Sequence, residues 1–232
     1  MTTKEPKIKS FNTEEHNVLQ VYAIKRKKPK TRIAKIERQL RFYDCGGTSL
    51  FGEVKTYDKK KDRVHVYVCL GGDIGPVGEF ENFMAVLRLL KKGDKLDFEI
   101  NSPGGRVCTG IQLVNHIRSC PALTRGIASG MVASMAPFLW LSCDEVELQP
   151  HALIMFHPAQ SLSMGSLSNM KKYSSAIVEQ LSNMFRDICP GYLTEKEVVE
   201  MANADKEFWI TTKQAKKRLR SFRKATGKKI IL

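Results

Sequence analysis

What most constrains this chain is the pattern between Arg63 and Leu141, where runs that alternate apolar and polar residues take turns with stretches whose apolar residues recur every three or four positions. A β-branched run, RVHVYVCL (63–70), leads through Gly71-Gly72 into an amphipathic stretch from Val77 to Lys92, whose Phe80, Phe83, Met84, Leu87 and Leu90 share one helical face. KLDFEIN (95–101), the turn SPGG (102–105), a helix to about Ser119, LTRGIA (123–128) and an apolar helix from about Ala133 to Leu141 repeat the unit. EVELQ (145–149) and ALIMFH (152–157) add two short strands. Repeated βα units predict a parallel α/β core, with functional groups where strands end and helices begin.

Beyond Pro158 the period becomes purely helical. Leu167, Met170, Tyr173, Ile177, Leu181, Met184 and Ile188 recur at steps of three and four, predicting one long amphipathic helix over Leu167–Ile188. At about 1.5 Å per residue it is roughly 33 Å long, comparable to a small domain, so part of it should project beyond its own core. Thr194-x-x-Glu197 and Thr211-x-x-Gln214 read as capping boxes opening two further helices. No internal repeat is evident.

The 232 residues carry a formal charge of +14, but unevenly. Residues 1–41 hold 12 Lys/Arg against four acids and residues 213–232 hold nine against none, which leaves residues 42–212 at about −3. The division predicted is therefore a basic N-terminal extension over 1–41, flexible or bound to a partner, a folded domain over 42–215, and a basic C-terminal tail over 216–232. Any contact with nucleic acid or an acidic protein belongs to these ends. No run reaches the roughly 18 apolar residues of a membrane span, and the N-terminus lacks an apolar leader, so no membrane association is expected. Six scattered cysteines with no C-x-x-C or His/Cys cluster predict no metal site. Cys69 and Cys108, in apolar segments, read as buried free thiols of a reducing compartment.

Two glycine-containing strand-to-helix turns stand out, Asn101–Gly105 and Gly130–Met135. Such junctions expose backbone N–H groups suited to an anion or an acyl-transfer oxyanion. Ser134 starts a helix among small residues, where either an N-cap or a nucleophile can sit. His157 emerges from the apolar strand ALIMFH, where packing can fix its ring for general-base work. His16 and His151 read as solvated, His65 as a strand-face residue and His116 as structural.

Taken together, INSPGGRV (100–107), GMVASMAPF (130–138), IMFHP (154–158) and EFWITTKQA (207–215) resemble the Clp protease proteolytic-subunit family of serine peptidases, in order and near its spacings, over about Arg63 to Ala215. The resemblance implies a ClpP-like, crotonase-like α/β fold of repeated βα units with a long projecting helix. It further implies Ser134 as nucleophile, His157 as general base, and the backbone N–H groups of Gly105 and Met135 as the oxyanion hole. Counting back from EFWITTKQA puts Asn203 where the family usually has aspartate, with Asp205 two residues on as the alternative third member. The activity implied is that of a serine endopeptidase acting on peptide or unfolded protein, built as a ring homo-oligomer and served by an ATPase unfoldase, with no metal or organic cofactor. A cytoplasmic setting is expected, or a plastid stroma or phage-infected cell. Rival readings are a bacteriophage head-maturation protease of the same fold, a catalytically idle ring subunit, and an acyl-CoA enzyme of the crotonase superfamily.

Overall fold

The computed structural model describes residues 31–41, 50–158, 166–204 and 206–232. Eight strands form one sheet: β1 (Leu50–Asp58), β2 (Arg63–Leu70), β3 (Lys95–Ser102), β4 (Leu123–Ala133), β5 (Glu145–Leu148), β6 (Leu153–Phe156), β7 (Phe208–Ile210) and β8 (Lys229–Ile231). Their order is β1-β2-β3-β4-β5-β8, while β6 branches from the distal half of β4 and carries β7. β2, β3, β4, β5 and β8 run parallel; β1 and β7 add as antiparallel edges.

Side-chain alternation along β2 explains the sheet's two faces. Val64, Val66, Val68 and Leu70 are at most 2 % exposed and join Leu96, Phe98 and Ile100 of β3 under the helices. Burying each such side chain is worth about 1.5–3 kcal/mol. Above them lie a short 3-10 turn (Val77–Phe80) with α2 (Glu81–Leu89), then α3 (Val107–Arg118) and α4 (Ala136–Ser142), the last buried along its whole length. On the other face His65, Tyr67 and Cys69 are half-buried. There Asp97 accepts two hydrogen bonds from Arg125 at 3.0 and 2.8 Å, with His65 Nε2 2.9 Å away. Burial alone would raise the Asp97 carboxyl, but the Arg125 guanidinium and His65 outweigh it and hold it below the ordinary carboxylate range.

The long helix, α5 (Leu167–Ile188), has the predicted bounds. Its C-terminal half inserts Leu181, Met184, Phe185 and Ile188 into the core. Its N-terminal half is exposed nearly all round, Tyr173 at 50 % and Val178 at 40 % included. α6 (Glu195–Ala204) and α7 (Thr212–Thr226) both open on the predicted capping boxes.

Three expectations are corrected. The extension read over 1–41 holds a helix, α1 (Arg32–Arg41), that is part of the domain. Ile36 and Leu40 are buried in the main core, and Leu40 packs against Gly52, where a Cβ would lie 2.5 Å from its Cδ2. Arg32 reaches the fully buried Asp94 carboxylate at 2.5 Å, which also accepts the Val64 and Lys91 N–H groups. The tail read over 216–232 comprises most of α7, with Leu219 and Phe222 fully buried, and the strand β8. Local charge had masked the apolar periods of both segments. Cys69 lies on the open sheet face and Cys108 is exposed on α3, whereas among the described residues Cys143 and Cys189 are the buried thiols. Residues 1–30, His16 among them, lie outside the described residues.

Candidate active site

Three strand ends converge. At the end of β3 the Ser102 hydroxyl accepts the Gly104 N–H at 3.1 Å, and the chain turns through Gly104 and Gly105 at φ +96° and +145°. Only glycine fits at either place. A Cβ on Gly104 would lie 2.5 Å from the Ser134 Cβ, 2.6 Å from the Ala133 oxygen and 2.8 Å from the Met135 nitrogen; one on Gly105 would lie 2.3 Å from the Ile74 oxygen. A parallel bridge secures this loop: Ile74 N–H donates to Gly104 O at 2.7 Å and Arg106 N–H to Ile74 O at 2.8 Å. That bridge leaves the intervening Gly105 N–H out of its pairing.

At the end of β4 the backbone of Ser134 turns into the left-handed region at φ 59°, so the residue does not begin the helix as a simple cap. A serine there costs about 1–2 kcal/mol, held in place by its surroundings. Its N–H donates to Met155 O of β6 at 2.9 Å, and the Asn101 side-chain oxygen accepts the Met131 N–H at 3.0 Å. Met135 follows as the cap residue of α4, its side chain in the space left by Gly110.

Two residues past Met155, His157 leaves the end of β6, and its Nε2 stands 2.8 Å from Ser134 Oγ. An Nε2 that accepts the hydroxyl proton requires Nδ1 to carry the ring hydrogen, which needs an acceptor behind it. The side chain of Asn203, on α6, and all of Asp205 lie outside the described residues, and so does the assignment of that acceptor. Ser134, His157, Gly105 and Met135 line one cleft of about 180 Å³, closed on its apolar side by Val107, Phe138, Leu181 and Phe185. Sequence reasoning missed Val107, Phe138 and Phe185 as lining residues. The i, i+4 pair Leu181 and Phe185 marks where α5 passes from open solvent to the site, and Phe138 sits 4.9 Å from Phe185 between ring centres.

A polarised hydroxyl beside a half-buried imidazole, next to amides not spent on the sheet, is an arrangement capable of acyl transfer. The buried thiols are poor rivals as nucleophiles: burial pushes Cys143 up to about 12 and raises Cys189 as well. His65, His116 and His151 stand elsewhere, on β2, on α3 and in an exposed turn. Among the described residues no three His, Cys, Asp or Glu side chains cluster as a metal site, and no helix is long and apolar enough to cross a membrane.

The family model described as Clp protease matches residues 62–218. The chain is similar to the ATP-dependent Clp protease proteolytic subunit of Bacteroides thetaiotaomicron, 27% identical over 126 residues, covering 53% of this chain and 57% of the relative. It is similar also to proteolytic subunit 2 of Pseudomonas aeruginosa, 28% identical over 127 residues (53% and 61% covered), and to proteolytic subunit 1 of Streptomyces avermitilis, 27% identical over 154 residues (64% and 70%). The chain thus spans under two thirds of the length of the first two relatives.

Proposed function

Because the chain belongs to the Clp protease family, we propose that it is a serine endopeptidase in which Ser134 and His157 carry the chemistry. The observation behind this reading is the 2.8 Å contact between His157 Nε2 and the hydroxyl of a serine held at φ 59° in a cleft. Ser134 Oγ attacks the peptide carbonyl while His157 takes its proton. The Gly105 and Met135 N–H groups receive the oxyanion, the imidazolium returns the proton to the leaving amine, and water hydrolyses the acyl-enzyme by the same route. An extended substrate lies against the Gly105 turn just ahead of α3, where main-chain contacts tolerate many sequences.

Asn203 or Asp205 completes the triad in this reading. A neutral asparagine can fix the tautomer of His157 but cannot stabilise its cation, so turnover is slow if Asn203 is the partner. The substrate is unfolded protein delivered by an ATPase, and the working form is a ring in which the exposed half of α5 meets a neighbouring subunit. An amphipathic helix standing free on most sides supports that part of the proposal.

Fluorophosphonate labelling tests the chemistry. Modification at Ser134, lost in Ser134→Ala and His157→Ala, is expected; an unlabelled wild-type chain in its assembled form refutes it and leaves an idle ring subunit. A sedimentation profile showing an active monomer at micromolar concentration refutes the ring.

A further inference from the structure

Helix α7 carries seven Lys or Arg residues and no acid along its 15 residues. Its inner face is committed to the core through Ala215, Leu219 and Phe222. Arg218 is committed too, to Glu197 at 2.5 and 2.9 Å and to Tyr192 O at 2.9 Å. The remaining cations fall elsewhere on the helix. Lys213, Lys217, Arg220 and Lys224, at steps of four, three and four, form one outward stripe, with Lys216 and Arg223 along its flank. Among the described residues none of these six has an acidic partner. By contrast Lys229, just beyond, pairs with Glu145.

The stripe works against the stability of the helix that bears it. Like charges at i and i+4 repel, and Lys213, Lys216 and Lys217 crowd the N-terminal turns, where the helix dipole disfavours cations. No acid stands in the first turn to offset them. A charge arrangement that the fold does not use and partly opposes calls for an external anion.

Three kinds of anionic surface could meet it, and the side chains choose among them. A lipid surface requires apolar residues beside the basic ones, but the apolar face of α7 is already inside the protein. An acidic protein partner requires apolar or aromatic anchors at the centre of the contact, and lysine is depleted in such interfaces. The stripe is mostly lysine, with no exposed aromatic or aliphatic anchor on α7. It suits a polymer of uniform, closely spaced charge. From Lys213 to Lys224 the stripe runs roughly 17 Å at about 1.5 Å per residue. A nucleic-acid duplex offers about one negative charge per 1.7 Å of axis, so the polymer supplies more phosphates than the stripe has cations. Gln214, which could have read a base edge, is occupied in the capping box with Thr211. Stacking residues for single strands are absent from α7.

We propose that the outer face of α7 binds the phosphate backbone of double-stranded nucleic acid without sequence preference, at a surface distinct from the Ser134 cleft. The test is fluorescence anisotropy of a labelled 20-base-pair DNA of arbitrary sequence, titrated with the full chain at several salt concentrations. With four to six contacts, affinity should fall about 100-fold or more between 50 and 200 mM salt. Lys213→Gln/Lys217→Gln/Arg220→Gln/Lys224→Gln together should weaken binding at the lower salt at least tenfold and flatten the log–log salt slope by roughly three to four. Unchanged circular dichroism and a melting temperature no lower than that of wild type confirm that the variant is folded. Equal affinity and slope in wild type and quadruple variant overturn the proposal, as does loss of binding on replacing Lys25, Arg26, Lys27 and Lys28 instead. Displacement by poly-glutamate at lower charge equivalents than by unlabelled duplex assigns the surface to an acidic protein, which also overturns it.

Discussion

Replacing Gly104 by alanine should damage both the fold and the placing of Ser134, for reasons that can be worked from three distances. The added Cβ meets the Ser134 Cβ at 2.5 Å, the Ala133 oxygen at 2.6 Å and the Met135 nitrogen at 2.8 Å, all shorter than real carbon contacts. Two of the three atoms are backbone and cannot rotate away. The left-handed φ of +96° adds about 1–2 kcal/mol for any residue with a Cβ, and overpacking a tight junction adds about 1–3 kcal/mol. A sum of about 3 kcal/mol corresponds to a melting temperature lower by roughly 6–12 °C in a chain of this size. The atoms displaced are also those whose positions define the site. A shift on the order of 1 Å at Ser134 or the Met135 N–H should slow fluorophosphonate labelling about 100-fold. Gly78→Ala is the control, since nothing lies within 4 Å of its added Cβ. If Gly104→Ala melted within about 2 °C of wild type and labelled within about threefold of its rate, the packing argument and the scale of both effects would be wrong.

Asn203→Asp should raise the rate of peptide hydrolysis if Asn203 stands behind His157, since a carboxylate stabilises the imidazolium; no change, with loss of activity in Asp205→Ala, assigns the role to Asp205. Glu197 should mark the acid limit of stability. Burial raises its pKa, but the Arg218 guanidinium and the Thr194 N–H and hydroxyl overcome that and bring it down to about 2. Because its folded pKa is depressed, its contribution is present above the ordinary carboxylate range and disappears as pH falls from about 4.5 toward 2. Urea titrations of Glu197→Gln should therefore show a pH dependence in that window smaller by about 1 kcal/mol, allowing for solvent screening. Asp94→Ala should cost about 3 kcal/mol, because it strands the buried Val64 N–H, removes the acceptor of the part-buried Lys91 N–H and frees Arg32 of α1; proteolysis within 31–41 should quicken accordingly.

The parallel heart of the fold was legible because β2, β3 and β4 are long, alternate or run apolar, and are set off by turns that contain glycine. Strand β1 hid behind Gly52 and a run of polar residues, since one of its faces looks outward. β7 and β8 are three residues each and exist only because a neighbour offers an edge. Ile33, Ile36 and Leu40 of α1 did carry a helical period, but the lysines and arginines around them read as a solvated arm. At the site, residue types pointed to Ser134 and His157. No residue type encodes a left-handed φ at a serine, and no pattern foretells that Phe185 of α5 reaches the wall built by Phe138. Those follow from how strand ends meet.

The C-terminal strand has a bearing on timing. Lys228 Nζ donates to Leu141 O at 2.8 Å, closing the far end of α4, the helix that Met135 caps; next to it β8 completes the edge at β5. The two partners are 87 residues apart, so this closure waits on a long segment of chain. A ribosome that has released Ser134 and His157 has not yet supplied the strand and the lysine that hold α4 down. The helix that follows Ser134 therefore settles only after the segment from Leu141 to Lys228 has been made, so its closure depends on a distant part of the chain and not on its own neighbours in sequence.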